Sequence, residues 1–327
     1  MAMYISYEDM RTMPKHEVIA GLEAHSLHYN PDWDLGRLRR TLGMALVYRQ
    51  ATTYKPKDQY SKRTPFDYNF YDEDKVLLDT EICYRTGSDR VYVFLVQMFE
   101  VARDAVPLFT EWEQLASCGE CKGSSGSCPG YAPRFPTIRP ELGSFYAITI
   151  TLDMAFCLFY NSYNNWARAI TWADRLSVGL MKRVLLRLDQ YGYVLGAGAC
   201  TGNCRPCTLA RGEGCKKPKY RRHSMEATGI NCDLLHRRFY GEYLPWAYKG
   251  LNLIPTYMSR YGGFLANLQG NTAARFLMNA LRKDDHYIDR QPPIEPEYEP
   301  IVREIPSGIH KGSTQYFYSL TDAERIR

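Results

Sequence analysis

The chain has 327 residues, of which 45% are hydrophobic and 24% are charged, a composition ordinary for a folded protein of one large or two smaller domains. Its most apolar stretch, Phe145 to Tyr160, is about 16 residues long and contains Asp153, which is too short and too polar to span a bilayer. The net charge is only +5 and the N-terminus lacks a secretory signal, so we expect a soluble, cytoplasmic protein.

Three regions are predicted from the distribution of motifs along the chain. Residues 1–90 combine short helical pieces with polar, tyrosine-rich loops and contain no chemical motif, which favours an accessory N-terminal extension. Residues 91–250 contain the clustered cysteines and are predicted to be a metal-binding core. Residues 251–327 are predicted to form a helical segment followed by a Pro/Glu-rich arm.

The predicted elements alternate between helix and strand through the central region. Apolar residues from Val91 to Ala116 recur at a spacing that predicts an amphipathic helix broken near Pro107. Tyr146 to Leu152 alternates between apolar and polar residues and predicts a strand. A long helix is predicted over Trp166 to Leu188, because its apolar residues form one stripe.

The remaining elements follow this helix. Gly192 is predicted to cap its C-terminus, and Tyr193 to Leu195 to form a short strand. Further elements are predicted as a helix starting near Asn231 or Asp233, a helix from Asn271 to Lys283, and an extended arm at 291–308. The predicted fold class is α+β: a small sheet with packed helices and two cysteine-rich loops, flanked by irregular or helical extensions.

The second cysteine-rich loop has the spacing C-x3-C-x2-C-x7-C. Its members are Cys200, Cys204, Cys207 and Cys215. Four soft ligands in one short loop suit a [4Fe-4S] cluster, although zinc also accepts four thiolates, so the spacing alone leaves the metal open. Disulfides are not expected in a reducing cytoplasm, and clustering favours metal binding.

The first cysteine-rich loop has only three cysteines, in the pattern C-x2-C-x6-C-P. They are Cys118, Cys121 and Cys128. Either a distant residue supplies a fourth ligand or one iron is left open to substrate or solvent. The single cysteines, Cys83, Cys157 and Cys232, are candidates for that ligand, although a buried thiol is the favoured interpretation of each.

Basic residues cluster next to the second cysteine-rich loop. Positions 205–222 contain seven basic residues and one acidic residue, Glu213. The basic residues are Arg205, Arg211, Lys216, Lys217, Lys219, Arg221 and Arg222. This charge would offset an anionic thiolate cluster and provide a docking surface for an acidic electron donor. No nucleic-acid motif accompanies it, so we do not expect nucleic acid as the partner.

The residues around the second loop resemble a family of uncharacterised prokaryotic proteins described as predicted metal-binding proteins. The resemblance rests on the spaced cysteines, on the Lys-Lys-Pro after Cys215, and on Ser224-Met-Glu-Ala-Thr-Gly-Ile230. The upstream C-x2-C…C-P element of that family corresponds here to Cys118, Cys121, Cys128 and Pro129. The first cysteine gap of the second loop is one residue longer here, and Gly130 replaces a second proline.

The resemblance implies a metal site but no established reaction. Ser224 suits a helix N-cap, and Glu226 would either accept a structural hydrogen bond or serve as a proton carrier or metal ligand. We predict an iron–sulfur protein of an anaerobic cytoplasm, with one or two [4Fe-4S] clusters that pass electrons to a partner or substrate in a larger redox system. The alternatives are a reductase that binds substrate at an open iron, and a zinc-stabilised adaptor subunit. Catalytic residues are unknown, and whether the chain is an enzyme is left open.

Overall fold

The computed structural model describes a large part of the chain. The described residues are 13–24, 31–32, 35, 38, 75–87, 90–109, 132–160, 166–196, 208–209, 213–218, 221–241, 244–245, 253–289, 301–304 and 314–319. The chain divides into two compact units. The first unit comprises 1–59, 107–138 and 199–232, and the second comprises 60–106, 139–198 and 233–327. The three predicted regions with boundaries near residues 90 and 250 remain a prediction.

A six-stranded antiparallel sheet organises the second unit. Its strand order is β4-β6-β3-β2-β1-β7. The strands are β1 (Lys75–Arg85), β2 (Val91–Val101), β3 (Ser144–Asp153), β4 (Tyr193–Gly196), β6 (Tyr257–Ala266) and β7 (Tyr287–Ile288). The central strands β2, β3 and β6 are almost wholly buried, which explains why their sequences are apolar on both faces.

Helices cover one face of this sheet. They are α2 (Met154–Tyr160), α3 (Trp166–Leu188) and α5 (Gly270–Arg282). The apolar stripe of α3, including Ala173, Leu180 and Val184, joins one hydrophobic core with Phe94 of β2 and Ile148 of β3. The predicted boundaries of α3 are confirmed, and the helix predicted over Asn271 to Lys283 is confirmed as α5 with ends shifted by one residue.

The opposite face of the sheet is covered by α4 (Cys232–Tyr240), the helix predicted to begin near Asn231 or Asp233. The ring of Phe239 stacks on that of Phe99 in β2, with a centroid distance of 4.0 Å. Because β2 has side chains buried on both faces, its apolar residues follow neither a clean alternation nor a helical stripe.

The helix predicted from Val91 to Ala116 is wrong. Residues 91–101 form the central strand β2, which pairs antiparallel with β1 and β3. A short apolar run that is buried on both faces cannot be distinguished from a buried helix by its periodicity alone. The β-branched and aromatic residues at its start, Val91-Tyr-Val-Phe94, are the local signal that favours a strand.

Gly192 does not cap α3 through a left-handed conformation. A Cβ at this position would lie 2.2 Å from the carbonyl oxygen of Leu265 in β6, and its φ angle is not positive. The glycine instead permits close approach of the turn before β4 to the neighbouring strand. The predicted strands at Tyr146 to Leu152 and Tyr193 to Leu195 are confirmed as parts of β3 and β4.

A small second sheet lies in the C-terminal part of the second unit. Its order is β5-β9-β8, formed by β5 (Leu253–Pro255), β8 (Ile301–Glu304) and β9 (Thr314–Ser319). Part of the predicted Pro/Glu-rich arm is therefore a paired strand, with Ile301 opposite Phe317. The rest of that arm lies outside the described residues.

In the first unit, the described residues form short elements. Helix α1 (Lys15–Ala24) buries Val18 and Leu22, and single 3₁₀ turns cover Phe135–Thr137 and Glu226–Thr228. Taken with the sheets and helices of the second unit, these elements confirm the α+β class. Within the described part of the chain, no helix has the length and apolar character needed to cross a bilayer.

Candidate metal centre

Cys215 is the one predicted ligand that falls within the described residues, where its side chain is half-buried. The other six predicted ligands lie outside the described residues: Cys118, Cys121, Cys128, Cys200, Cys204 and Cys207. Their assignment as ligands remains a prediction. The described residues on either side show what the chain is bonded to where it enters and leaves the two loops.

A closed loop separates the last two cysteines of the second cysteine-rich loop. The buried Thr208 hydroxyl donates a 2.8 Å hydrogen bond to the carbonyl oxygen of Gly214. The Thr208 carbonyl accepts a 3.0 Å bond from the N–H of Glu213. Cys207 directly precedes Thr208 and Cys215 directly follows Gly214, each about 3.8 Å away from Cα to Cα. These bonds therefore fix Thr208 next to the two residues that precede Cys215.

The first unit contains a backbone clasp, formed by residues 107–109 and 229–231. Leu108 pairs with Ile230 in an antiparallel bridge. The N–H of Phe109 donates to the carbonyl of Gly229 at 2.7 Å, and the N–H of Asn231 donates to the carbonyl of Pro107 at 2.9 Å. The first cysteine-rich loop leaves the clasp after Phe109, and the chain from the second loop reaches the clasp at Gly229.

Arg134 ties the returning end of the first cysteine-rich loop to the same clasp. Its Nη2 donates to the carbonyl of Phe109 at 3.1 Å. A Cβ on Gly229 would lie only 2.7 Å from Nη1 of Arg134. Gly229 also has a φ of +93°, a conformation that glycine adopts without the steric cost of a side chain. Both ends of the first loop and the exit of the second therefore meet within hydrogen-bonding distance.

The Ser-Met-Glu-Ala-Thr-Gly-Ile stretch is a capped helical turn. The Ser224 hydroxyl accepts a 3.1 Å hydrogen bond from the N–H of Ala227, which confirms the predicted N-cap role. At the other end, the N–H of Gly229 donates to the carbonyl of Glu226 and that of Ile230 to the carbonyl of Met225. This pair of bonds is a Schellman C-cap. Six positions of the stretch thus take part in these hydrogen bonds, which lead the chain to the clasp.

The carboxylate of Glu226 is half-buried on this turn. Among the described residues, neither Arg222 nor a backbone N–H is hydrogen-bonded to it, so the predicted structural bond is not seen within this part of the chain. The guanidinium of Arg222 instead donates to the carbonyl of Arg221.

Charge around Cys215 is positive and exposed. Lys216 and Lys217 are exposed, and the nearest described acid, Glu213, is exposed as well. Arg221 and Arg222 are half-buried and directly precede His223 in the sequence. Burial, together with these two arginines, lowers the pKa of His223 to about 4, so the imidazole is neutral at neutral pH. An anionic thiolate site would be stabilised by this surrounding positive charge.

The three single cysteines lie in different environments. Cys83 is in β1 opposite Val93, and burial followed by the charge of Glu81 raises its pKa. Cys157 is fully buried in the apolar core of the second unit, where burial followed by the charge of Asp153 raises its pKa strongly. A metal ligand must be a thiolate, so these two environments favour structural thiols. Cys232 is also buried and is the first residue of α4.

The donor set fits a thiolate-bound metal, although the described residues contain no cluster of three or more potential ligands. Cys215 is accessible, its neighbours are basic, and the backbone around it is closed by the Thr208 bonds. One buried ring nitrogen nearby in sequence, Nδ1 of His223, has no hydrogen-bond partner within the part of the chain that the structure describes.

A buried polar network in the second unit has no counterpart in the sequence analysis. On one side, the hydroxyl of Tyr240 donates to Oε1 of Gln97 and lies 2.9 Å from the hydroxyl of Thr149. On the other, His236 lies 2.8 Å from the Tyr261 hydroxyl through Nδ1. The rings of His236 and Tyr240 are 4.5 Å apart. His236 and Tyr240 are four residues apart on α4 and therefore lie on one face of that helix. This spacing is the sequence signal that could have located part of the polar network.

The architecture is that of an α+β protein whose first unit contains a backbone clasp between the segment before the first cysteine-rich loop and the segment after the second. Residues 108–246 match a family model described as "Predicted metal-binding protein (DUF2284)", a domain family of unknown function. The resemblance is therefore confirmed for this stretch, and the family is described as one of predicted metal-binding proteins. No curated protein and no solved structure matches the chain.

Proposed function

We propose that this chain is an iron–sulfur protein that carries single electrons between a soluble donor and a partner or substrate. Cys200, Cys204, Cys207 and Cys215 hold one [4Fe-4S] cluster, and a second centre lies at the first cysteine-rich loop. The observation that carries the proposal is the closed loop between Thr208 and Gly214. Its two hydrogen bonds hold the chain that leads into Cys215, and exposed Lys216 and Lys217 follow directly, which supports the proposal.

Thiolates favour iron–sulfur clusters and zinc over harder ions. A bound cluster supplies a centre that accepts and releases one electron. In this proposal the chain's own cysteines hold the metal, and the backbone clasp anchors the chain before the first cysteine-rich loop and after the second. Lys216 and Lys217 are exposed and offset the negative charge of a four-thiolate cluster, which raises its reduction potential. The same positive charge attracts an acidic electron donor.

Zinc bound by the same thiolates is the second candidate, because the four-cysteine set also suits a tetrahedral structural site. A zinc protein would act as a structural or adaptor subunit and would carry no electrons. The two candidates differ in colour, in acid-labile sulfide and in redox activity.

The test is purification of the full chain without oxygen, followed by iron, zinc and sulfide counts per chain. We expect a brown protein with iron and sulfide in equal amounts, and a Cys204→Ser variant that loses one cluster's worth of both. The matched control is Cys157→Ser, since Cys157 lies in the apolar core of the second unit. Zinc without sulfide, or unchanged iron in Cys204→Ser, would contradict the proposal.

A further inference from the structure

The two long helices of the second unit are strongly basic. Helix α3 has five basic residues and one acidic residue, and α5 has two basic residues and no acidic residue. The basic residues are Arg168, Arg175, Lys182, Arg183 and Arg187 in α3, and Arg275 and Arg282 in α5. A surface dominated by one sign of charge repels itself and attracts ligands of the opposite sign.

Two of the seven basic residues hold the helical layer together. Nε of Arg183 donates a 2.6 Å hydrogen bond to Asp284, and Nη2 of Arg187 donates a 2.8 Å bond to the carbonyl of Lys283. Asp174, the one acid of the two helices, forms an ion pair with Arg260 of β6. The other five basic residues take no part in these contacts.

These five residues form two rows. Arg168, Arg175 and Lys182 are seven residues apart in α3. Arg275 and Arg282 are seven residues apart in α5. Seven residues are close to two helical turns, so each row lies along one face of its helix with about 10.5 Å between its members. The four arginines are exposed and the lysine is half-buried. Because both helices bury their apolar side in the hydrophobic core, the rows lie on the outer side of the layer.

Apolar side chains accompany the basic rows. Leu186 is one turn beyond Lys182 in α3 and is 44% exposed. Tyr191, which follows α3, is 43% exposed, and its ring stacks on that of Phe276 in α5 with a centroid distance of 3.9 Å. This ring pair joins the two helices, and Phe276 directly follows Arg275. Arginine and aromatic residues are the types enriched in protein–protein interfaces.

This combination of charge and apolar contact favours an acidic helix over other occupants. A phosphate backbone matches the charge but offers no apolar contact to Leu186 or to the ring pair. A bilayer surface requires a broad apolar face, whereas α3 and α5 bury theirs in the core. A second copy of the same surface would bring like charges together. An amphipathic helix with acidic residues seven positions apart repeats at the interval of each row and also has apolar side chains.

We propose that the outer face of α3 and α5 is a docking surface for an acidic amphipathic helix of a partner protein. Carboxylates of that helix pair with the two basic rows, and its apolar residues contact Leu186 and the ring pair of Tyr191 and Phe276. The charge accelerates the encounter, and the apolar contacts slow dissociation. This inference involves no metal and goes beyond the proposed function.

The test measures binding of a synthetic helical peptide that has glutamates at seven-residue spacing beside a stripe of leucines. Fluorescence anisotropy of the labelled peptide gives its Kd for the full chain. We expect binding to the wild-type chain that weakens as the salt concentration rises. Arg175→Glu combined with Arg282→Glu should weaken it by about tenfold or more at low salt, because one charge in each row is reversed. Arg175→Gln combined with Arg282→Gln should give a smaller loss in the same direction.

Lys75→Glu combined with Arg85→Glu is the matched control. Both are exposed basic residues of β1 in the same unit, and the net charge changes by the same amount. This control should bind the peptide better than Arg175→Glu combined with Arg282→Glu does. Tyr191→Ser should weaken binding without changing its salt dependence, since it removes an apolar contact and no charge.

Several results would overturn the inference. They are a wild-type chain that does not bind the peptide, equal binding by the two charge-reversed variants, and tighter binding of duplex DNA or phosphatidylserine vesicles than of the peptide. If only Lys216→Glu combined with Lys217→Glu weakens binding, the acidic helix docks beside Cys215 and this inference alone is wrong. A chain that contains no iron but binds the peptide as expected would overturn the proposed function and leave the docking surface in place.

Discussion

The N–H of Phe109 donates a 2.7 Å hydrogen bond to the carbonyl oxygen of Gly229. Phe109 is the last described residue before the first cysteine-rich loop, and Gly229 closes the turn that follows the second. One hydrogen bond thus connects two segments that are 120 residues apart in sequence. The stability of this clasp should determine how well both loops bind metal.

Gly229→Ala should weaken the clasp. A left-handed conformation costs an alanine about 1–2 kcal/mol, and the added Cβ would lie 2.7 Å from Arg134 Nη1, so the free energy of unfolding should fall by at least that amount. Chemical denaturation followed by circular dichroism measures the change, and metal content should fall with it. Gly87→Ala is the matched control, since a Cβ at Gly87 meets no atom within 4 Å. Equal stability of the two variants would show that the turn relaxes without loss.

Thr208→Val should loosen the closed loop beside Cys215. Valine has the shape of threonine but removes the donor to the Gly214 carbonyl, which costs about 1 kcal/mol for a buried hydrogen bond. We expect slower refilling and a lower occupancy of the second metal site, measured as metal per chain after chelation and reconstitution. Thr208→Ser keeps the hydroxyl and should reconstitute as wild type. A Val variant that reconstitutes like the Ser variant would rule out a role for this bond.

The amphipathic helices could be predicted from the sequence because only one of their faces is buried. The stripe of α3 has a single periodicity, and its ends coincide with a change in that pattern. Periodicity did not identify strand β2, because neighbours cover both of its faces and its apolar residues do not alternate with polar ones. The β-branched and aromatic residues at its start favour a strand, and tertiary contacts on both faces stabilise it.

The candidate site could be predicted from the sequence only as far as the spacing of the cysteines indicates metal binding. Spacing identified which residues are suited to bind metal, and the Ser224 cap was predicted from a local preference for hydroxyl side chains. The clasp between Phe109 and Gly229 was not predictable, since backbone bonds over such a separation have no sequence signature. The unsatisfied nitrogen of His223 likewise becomes visible only when burial is known.

Asp284 should make the second unit sensitive to acid. Burial raises the pKa of its carboxyl, but hydrogen bonds from Arg183 Nε at 2.6 Å and from the N–H of His286 outweigh burial, and the net pKa is lowered. A lowered pKa stabilises the fold at pH values above about 3.9, the pKa of an aspartate in the unfolded chain. This contribution is lost as the pH falls through the lowered pKa of the folded chain. Asp284→Asn should therefore cost about 1.5–3 kcal/mol at neutral pH, the range for a hydrogen bond to a charged group.

The pH dependence distinguishes this effect from a simple loss of packing. The stability difference between wild type and Asp284→Asn should be constant near neutral pH and shrink in strong acid, as measured by denaturant unfolding at several pH values. Asp285→Asn is the control, because Asp285 is the exposed neighbour. A difference that does not change down to strong acid would mean that the carboxylate charge is not the cause.

His236 should give the second unit a second pH dependence, at milder acidity. Burial lowers its pKa to about 3, and its ring nitrogens face the hydroxyls of Tyr261 and Tyr257 at 2.8 and 3.4 Å. In the unfolded chain His236 takes up a proton near pH 6.5, whereas in the folded chain it stays neutral. The free energy of unfolding therefore decreases as the pH falls from about 6.5 towards the pKa of His236 in the folded chain. The slope attributable to this one proton is about 1.4 kcal/mol per pH unit.

His236→Gln retains polar groups but cannot titrate, and its unfolding free energy should fall less steeply between pH 6 and 4 by about that amount. His16→Gln, at a side chain that is 81% exposed, is the matched control and should keep the wild-type slope. If the His236→Gln slope equals that of wild type, proton uptake at His236 does not oppose folding in acid.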